Sequence, residues 1–142
     1  MIAAWSSPGP RWIRALVVFS GHADLVWLRL LRPGFRHCFV VLGSAGGWVC
    51  VNPLAHRTEV SVLPVAADFD VAGWYRGHGM IVVEARLEVP PRRPAPWRPF
   101  TCVEAVKRVL GIHAGYILTP WQLFRFISDV RKKSLTFPPR LR

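Results

Sequence analysis

One cysteine of this chain lies where local structure would enhance its reactivity. Cys102 is the second residue of Thr101-Cys102-Val103-Glu104, and a Thr followed three residues later by Glu is typical of a capping box at a helix start. Cys102 is therefore predicted at the first helical position, where the helix dipole and unpaired backbone amides stabilise a thiolate. Such a residue is a candidate nucleophile; a buried packing residue is the alternative for this feature alone.

A nucleophilic cysteine also needs a base that takes and returns a proton. His37 opens a hydrophobic strand, where the flanking structure would hold its ring, although a hydrogen-bonded core histidine is the alternative interpretation. The other four histidines lie in predicted loops, where a polar surface role is the usual one: His22, His56, His78 and His113.

A group that orients the base is expected on the next strand. The predicted hairpin places Trp48–Asn52 beside the strand that begins at His37, so that Asn52 returns close to the level of the imidazole. Its amide oxygen would accept a hydrogen bond from the ring and select the tautomer. An Asn before Pro is also an ordinary strand-ending signal, so this role depends on the other two residues.

Periodicity and turn residues predict the elements that must position these side chains. The predicted strands are Trp12–Ser20, Phe35–Leu42, Trp48–Asn52, Thr58–Val65 and Met80–Val89, and the predicted helices run over Leu25–Leu31, over Cys102–Leu110 and onward from Thr119-Pro120. Residues 66–79 contain three glycines and are predicted as a loop. The layout indicates an α+β domain, a small antiparallel sheet packed against two or three helices.

The two C-terminal helices carry additional signals. Gly111 follows the first of them as a C′ residue, and Thr119 with Pro120 is typical of an N-cap with proline in the first turn. The predicted buried stripe of the last helix consists of Leu123, Phe124, Ile127 and Val130.

Composition limits the possible classes of protein. The chain has 142 residues, 51% of them hydrophobic and 19% charged, which suits one folded domain with a real core. No apolar run approaches the roughly 20 residues that span a bilayer, and the N-terminus lacks the pattern of a standard secretory signal. A cytoplasmic protein, or one carried by another route such as a phage-like particle, is the expectation.

The cysteines and histidines do not suggest a disulfide framework or a metal. Cys38, Cys50 and Cys102 form an odd set, and no ligand pair has the spacing of a zinc site. Cys50 is predicted to pack in the core, and Cys38 is predicted to face away from its neighbour His37 because adjacent strand residues point to opposite faces. We expect no metal and no cofactor.

The net charge of +11 favours anionic partners. The C-terminal segment 131–142 is predicted as a basic tail, with Arg131, Lys132, Lys133, Arg140 and Arg142, and three more arginines lie in the proline-rich segment: Arg92, Arg93 and Arg98. Nucleic acid, anionic lipid, an anionic cell-wall polymer and plain solubility all fit this charge, and a protein partner could dock on the tail.

The order of the candidate residues resembles that of a known superfamily. A histidine at a strand start, a polar residue on the next strand, and then a cysteine that opens a helix is similar to the circularly permuted branch of the NlpC-type papain-like superfamily. The motifs are Phe35-Arg36-His37-Cys38-Phe39-Val40, Trp48-Val49-Cys50-Val51-Asn52-Pro53 and Phe100-Thr101-Cys102-Val103-Glu104 through Leu110-Gly111.

The resemblance implies a papain-like fold, with Cys102 as nucleophile, His37 as base and Asn52 as orienting residue. The family accepts several polar residue types in the third position, so His56 is the fallback. The implied function is a cysteine peptidase or amidase, with peptidoglycan stem peptides as a suggested substrate and acyl transfer as an open variant. A basic nucleic-acid-binding module and a catalytically silent papain-like interaction domain are the alternatives.

Overall fold

A computed structural model describes residues 12–22, 30–87, 94, 97 and 99–136, without the side chains of 134–136. Its elements are β1 (Arg14–Ser20), β2 (His37–Ser44), β3 (Gly47–Pro53), β4 (Thr58–Val62), α1 (Val71–Gly77), β5 (Ile81–Ala85), α2 (Cys102–Leu110) and α3 (Pro120–Thr136). The predicted α+β class is confirmed. Residues 25–29 of the predicted helix over Leu25–Leu31 and most of the proline-rich segment lie outside the described residues, and residues 30 and 31 are not α-helical.

The five strands form one antiparallel sheet in the order β4-β3-β2-β1-β5. Strand β2 is central, and its residues Cys38 to Leu42 are all buried. The hairpin from β2 to β3 closes at Ser44 and Gly47. Within it, Gly43 is required because a Cβ there would lie 2.7 Å from the Trp48 ring.

Side-chain alternation gives the sheet two apolar faces, each covered by helices. On one face Cys38, Val40 and Leu42 pack in a core with residues of α2 and α3. On the other face Phe39 and Val41 pack with residues of α1. The sheet is thus a middle layer, and this arrangement determines which helix can reach which side of β2.

Helix α1 corrects the predicted loop over residues 66–79. Asp70 caps the helix by accepting a hydrogen bond from the Gly73 amide at 2.9 Å, and a Cβ at Gly73 would overlap that carboxylate. The glycine that suggested a loop is therefore a requirement of the cap. Burial of Val71, Ala72 and Tyr75 against the sheet then stabilises the short helix.

Several predicted boundaries are also corrected. Strand β1 begins at Arg14 rather than Trp12, and β5 spans Ile81–Ala85, with residues 86 and 87 outside the strand. Strand β4 ends at Val62, shortly before the chain bends at residues 64 and 65. The predicted tail is helical through Thr136, because α3 continues past Val130. Residues 137–142 lie outside the described part of the chain.

Helix α3 confirms its predicted start and most of its buried stripe. Thr119 Oγ1 accepts from the Gln122 amide at 3.2 Å, and the Gln122 side chain accepts from the Thr119 amide at 3.0 Å, which is a full capping box. Leu123 and Ile127 are buried and Phe124 packs against the same core. Val130 was predicted in this stripe but is 38% exposed, because the helix has by then passed the edge of the core.

Candidate active site

Cys102 is the first residue of α2, as the capping pattern predicts. Thr101 is the extended N-cap, and its Oγ1 accepts a hydrogen bond from the Glu104 amide at 3.2 Å. Gly111 ends the helix in the left-handed conformation, with φ of 76°. Cys102 is partly buried as a residue, whereas Val103 and Val106 behind it are fully packed in the core.

The second half of the predicted capping box does not form. The Glu104 carboxylate instead pairs with Lys107 at 2.9 Å and Arg108 at 3.3 Å. Lys107 is only 2% exposed and also donates to the carbonyl of Ile117 at 3.3 Å. A buried ammonium needs a counter-charge, and this need explains why Glu104 turns away from the helix start.

His37 and Asn52 meet across the β2–β3 hairpin. The ladder pairs Val40 with Val51, so one step further Asn52 stands opposite Phe39, diagonal to His37 on the same face of the sheet. His37 Nε2 donates to Asn52 Oδ1 at 2.7 Å. This bond places the ring proton on Nε2 and leaves Nδ1 as the nitrogen that can act on another group.

The Cys102 sulfur hydrogen-bonds with groups of two consecutive β2 residues. The Cys38 thiol and the Cys38 backbone N–H both bond to it, and so does the His37 side chain. The Cys38 thiol contributes most to lowering the pKa of Cys102; burial opposes it, and the His37 hydrogen bond and positive charge add to the lowering. The pKa of the Cys102 thiol is about 5, so the thiolate predominates at neutral pH.

Cys38 is the participant that the sequence prediction missed. The prediction that it faces away from His37 was sound, since Cys38 lies in the core under α2 while His37 shares the face of Phe39. That same orientation directs Cys38 toward Cys102. It is fully buried, and burial, followed by its hydrogen bond to Cys102, raises its thiol pKa well above the usual value. The alternation of side-chain directions along β2 was the sequence signal that could have revealed this role of Cys38.

Cys50 is a packing residue, as predicted. It lies on the α1 side of the sheet, opposite the face under α2, and hydrogen-bonds with Tyr75. Burial raises the pKa of Cys50, and burial is also the main cause that raises the pKa of Tyr75 to about 12. The pKa values of Cys50 and Tyr75 are thus raised, whereas that of Cys102 is lowered.

His22, His56 and His78 do not join this cluster. His56, the fallback for the third position, is exposed in the loop after β3, whereas Asn52 makes the bond to His37. His22 and His78 are exposed, and His78 stacks on Trp74 at the end of α1. Across the described residues no group of three His, Cys, Asp or Glu side chains is arranged to hold a metal ion.

Comparisons with known proteins do not place the chain in a family. No family model, no curated protein and no solved structure matches it. Among the helices within the described residues, none has the length and apolarity needed to cross a membrane. Interpretation of the site therefore depends on its own geometry and chemistry.

Proposed function

We propose that this protein is a cysteine hydrolase of the permuted NlpC-type papain-like class that cleaves an amide bond through an acyl-enzyme. The observation that carries the proposal is the continuous hydrogen-bonded chain from Asn52 through His37 to a Cys102 thiol with a pKa of about 5. A nucleophile, its base and a group orienting the base are the three parts that such chemistry needs.

In the first half of the reaction the Cys102 thiolate attacks the substrate carbonyl carbon and forms a C–S bond. The Glu104 amide already donates to Thr101 Oγ1. The amides of Cys102 and Val103, at the open helix start, are therefore the ones that donate to the developing oxyanion. Protonated His37 gives its Nδ1 proton to the leaving nitrogen, and the C–N bond breaks. The products are a thioester on Cys102 and a free amine.

In the second half His37, now neutral, takes a proton from water as the water oxygen attacks the thioester. The C–S bond breaks, the carboxylic acid leaves, and Cys102 regains its thiolate with His37 protonated. Throughout, Asn52 holds Nε2–H, so Nδ1 remains directed to the reaction. A different acyl acceptor in place of water would give acyl transfer by the same groups.

Peptidoglycan stem peptides are the proposed substrate class. The resemblance to the permuted papain-like branch suggests them, and a net charge of +11 would favour adsorption to anionic wall polymers. The proposed location is the cytoplasm or a phage-like particle.

The test is digestion of purified peptidoglycan, with the released muropeptides and new amino groups identified by mass spectrometry. We expect wild-type protein to release them, and Cys102→Ala to abolish release. Cys50→Ala is the matched control, because it removes a thiol buried on the other face of the sheet. Cleavage that survives Cys102→Ala would contradict the proposal, as would the lack of cleavage of both peptidoglycan and a panel of peptide amides by wild-type protein.

A further inference from the structure

We propose that Cys38 is a positioning residue of the site, whose thiol and backbone N–H hold the Cys102 sulfur in place as a thiolate ready to attack. This inference rests on the proposed role of Cys102 as nucleophile. It adds a fourth residue that the order of the three candidate residues does not suggest.

The place of Cys38 in the sheet supports this role. The residue pairs of β2 with β3 end at Val40 and Val51, so Cys38 lies beyond the last paired position on that side. Its backbone N–H bonds to the Cys102 sulfur. The strand end thus offers a main-chain donor where the helix start presents its first side chain.

Packing fixes the direction of the thiol. Cys38 is 0% exposed and shares a core with the α2 residues Val103 and Val106, and Cys102 packs against this core. Packing holds the Cys38 side chain in place, and its S–H donates to the neighbouring Cys102 sulfur. Because burial disfavours the charged form of Cys38, Cys38 keeps its proton and Cys102 carries the negative charge.

The chemical consequence is a division of roles between the two donor side chains. His37 must release its proton to the leaving group, so it cannot stabilise the sulfur throughout the reaction. Cys38 keeps its proton and remains a donor when the sulfur again becomes a thiolate on breakdown of the thioester. A donor of this kind lowers the basicity of the sulfur and makes it a better leaving group.

The test measures the rate of Cys102 alkylation by iodoacetamide against pH, with the labelled peptide identified by mass spectrometry. The midpoint is the pH at which this rate is half-maximal. We expect Cys38→Ala and Cys38→Val to raise it by about one pH unit, since both remove a hydrogen bond to a charged group. The plateau rate should rise about threefold, because a more basic thiolate is intrinsically more nucleophilic. Cys38→Ser keeps a donor and should return the midpoint toward that of the wild type.

Two comparisons separate this role from simple packing. Ala and Val change the core volume in opposite directions, so a shared shift is attributable to the lost donor. Cys50→Ala removes a buried thiol from the other face of the sheet and should leave the midpoint unchanged. An unchanged midpoint in folded Cys38→Ala or Cys38→Val, or an equal shift in Cys50→Ala, would overturn the inference.

The readout also distinguishes this inference from the proposed hydrolase activity. A midpoint that depends on Cys38 in a protein that cleaves no amide would support the positioning role and contradict the hydrolase. Amide cleavage by wild-type protein, together with a midpoint insensitive to Cys38, would support the hydrolase and overturn the positioning role.

Discussion

At the scale of single residues, the chemistry is concentrated on one sulfur atom. The Cys102 sulfur accepts hydrogen bonds from Cys38 and His37 at the start of β2, while Asn52 in β3 fixes the imidazole of His37. Burial alone would raise the pKa of this thiol, and the hydrogen bonds outweigh that effect. The favoured state of Cys102 near neutral pH is therefore the thiolate, which lies beside the imidazole of His37.

The first prediction concerns the pH dependence of Cys102 alkylation. Because the thiol pKa is about 5, the rate should be half-maximal near that pH, fall in more acidic solution, and be flat by about two pH units higher, since only the thiolate reacts. His37→Ala should move the midpoint upward by removing a hydrogen bond and a positive charge. The same protein unfolded in urea should show a midpoint of about 8.5; equal midpoints in folded and unfolded protein would contradict the prediction.

The second prediction concerns the orienting residue. Asn52→Ala should lower kcat/KM for the cleaved amide by about 10²-fold, the cost of a misplaced catalytic group, mainly through kcat, since Asn52 acts on His37 rather than on the substrate. Glu59→Ala is the matched control, because Glu59 pairs with Asn52 in the neighbouring strand and is exposed. Steady-state kinetics give kcat and kcat/KM for both variants. A loss of kcat/KM below twofold in Asn52→Ala would show that Asn52 does not orient the base.

At the scale of elements, α2 and the β2–β3 hairpin build the site between them. The helix presents Cys102 at its start, and packing of Val103, Val106 and Leu110 in the core fixes the position of the helix over β2. The buried Lys107 ties the same helix to the segment before α3 through the carbonyl of Ile117. The helix is therefore anchored along its length while its first residue stays accessible.

The third prediction compares two helix caps of the same chemistry. Thr101→Ala and Thr119→Ala each remove a side-chain oxygen that accepts an amide hydrogen bond at 3.2 Å, and each should lower the free energy of unfolding by about 1 kcal/mol. Only Thr101→Ala should also raise the alkylation midpoint of Cys102, because only that cap positions the helix start beneath the sulfur. Urea denaturation and the alkylation assay measure the two effects. A midpoint shift in both variants, or in neither, would show that the cap does not act locally.

At the scale of the whole molecule, one sheet serves two cores. Alternate side chains of β2 enter the core with α2 and α3 on one side and the core with α1 on the other. A substitution that destabilises either core therefore destabilises the same strands. We expect the two cores to unfold together.

The fourth prediction tests this coupling with a matched pair of substitutions. Val40 and Val41 are neighbours in β2, both 0% exposed, and they lie in different cores. Val40→Ala and Val41→Ala should each cost about 2–3 kcal/mol and lower the midpoint of one shared urea transition. Far-UV circular dichroism and tryptophan fluorescence should report the same curve. Two transitions, each sensitive to one variant, would show that the cores are independent.

The extent to which the sequence predicts this molecule varies from element to element. Both ends of α2 were predictable because the side chain of Thr101 and the conformational freedom of Gly111 act within one helical turn. Helix α1 was missed because Gly73 normally indicates a loop, and only packing against the sheet makes a seven-residue helix stable there. The turn of Glu104 toward Lys107 was missed because nothing local shows that Lys107 is buried.

The sequence by itself determined the places of Cys102, His37 and Asn52 within their elements, since capping, strand patterning and turn signals depend on near neighbours. Only the tertiary structure decided that these side chains converge and that Cys38 joins them. Strand register and the docking of α2 bring together residues more than 60 positions apart, and burial in the resulting core sets which thiol keeps its proton. These are long-range effects of packing, which no local pattern encodes.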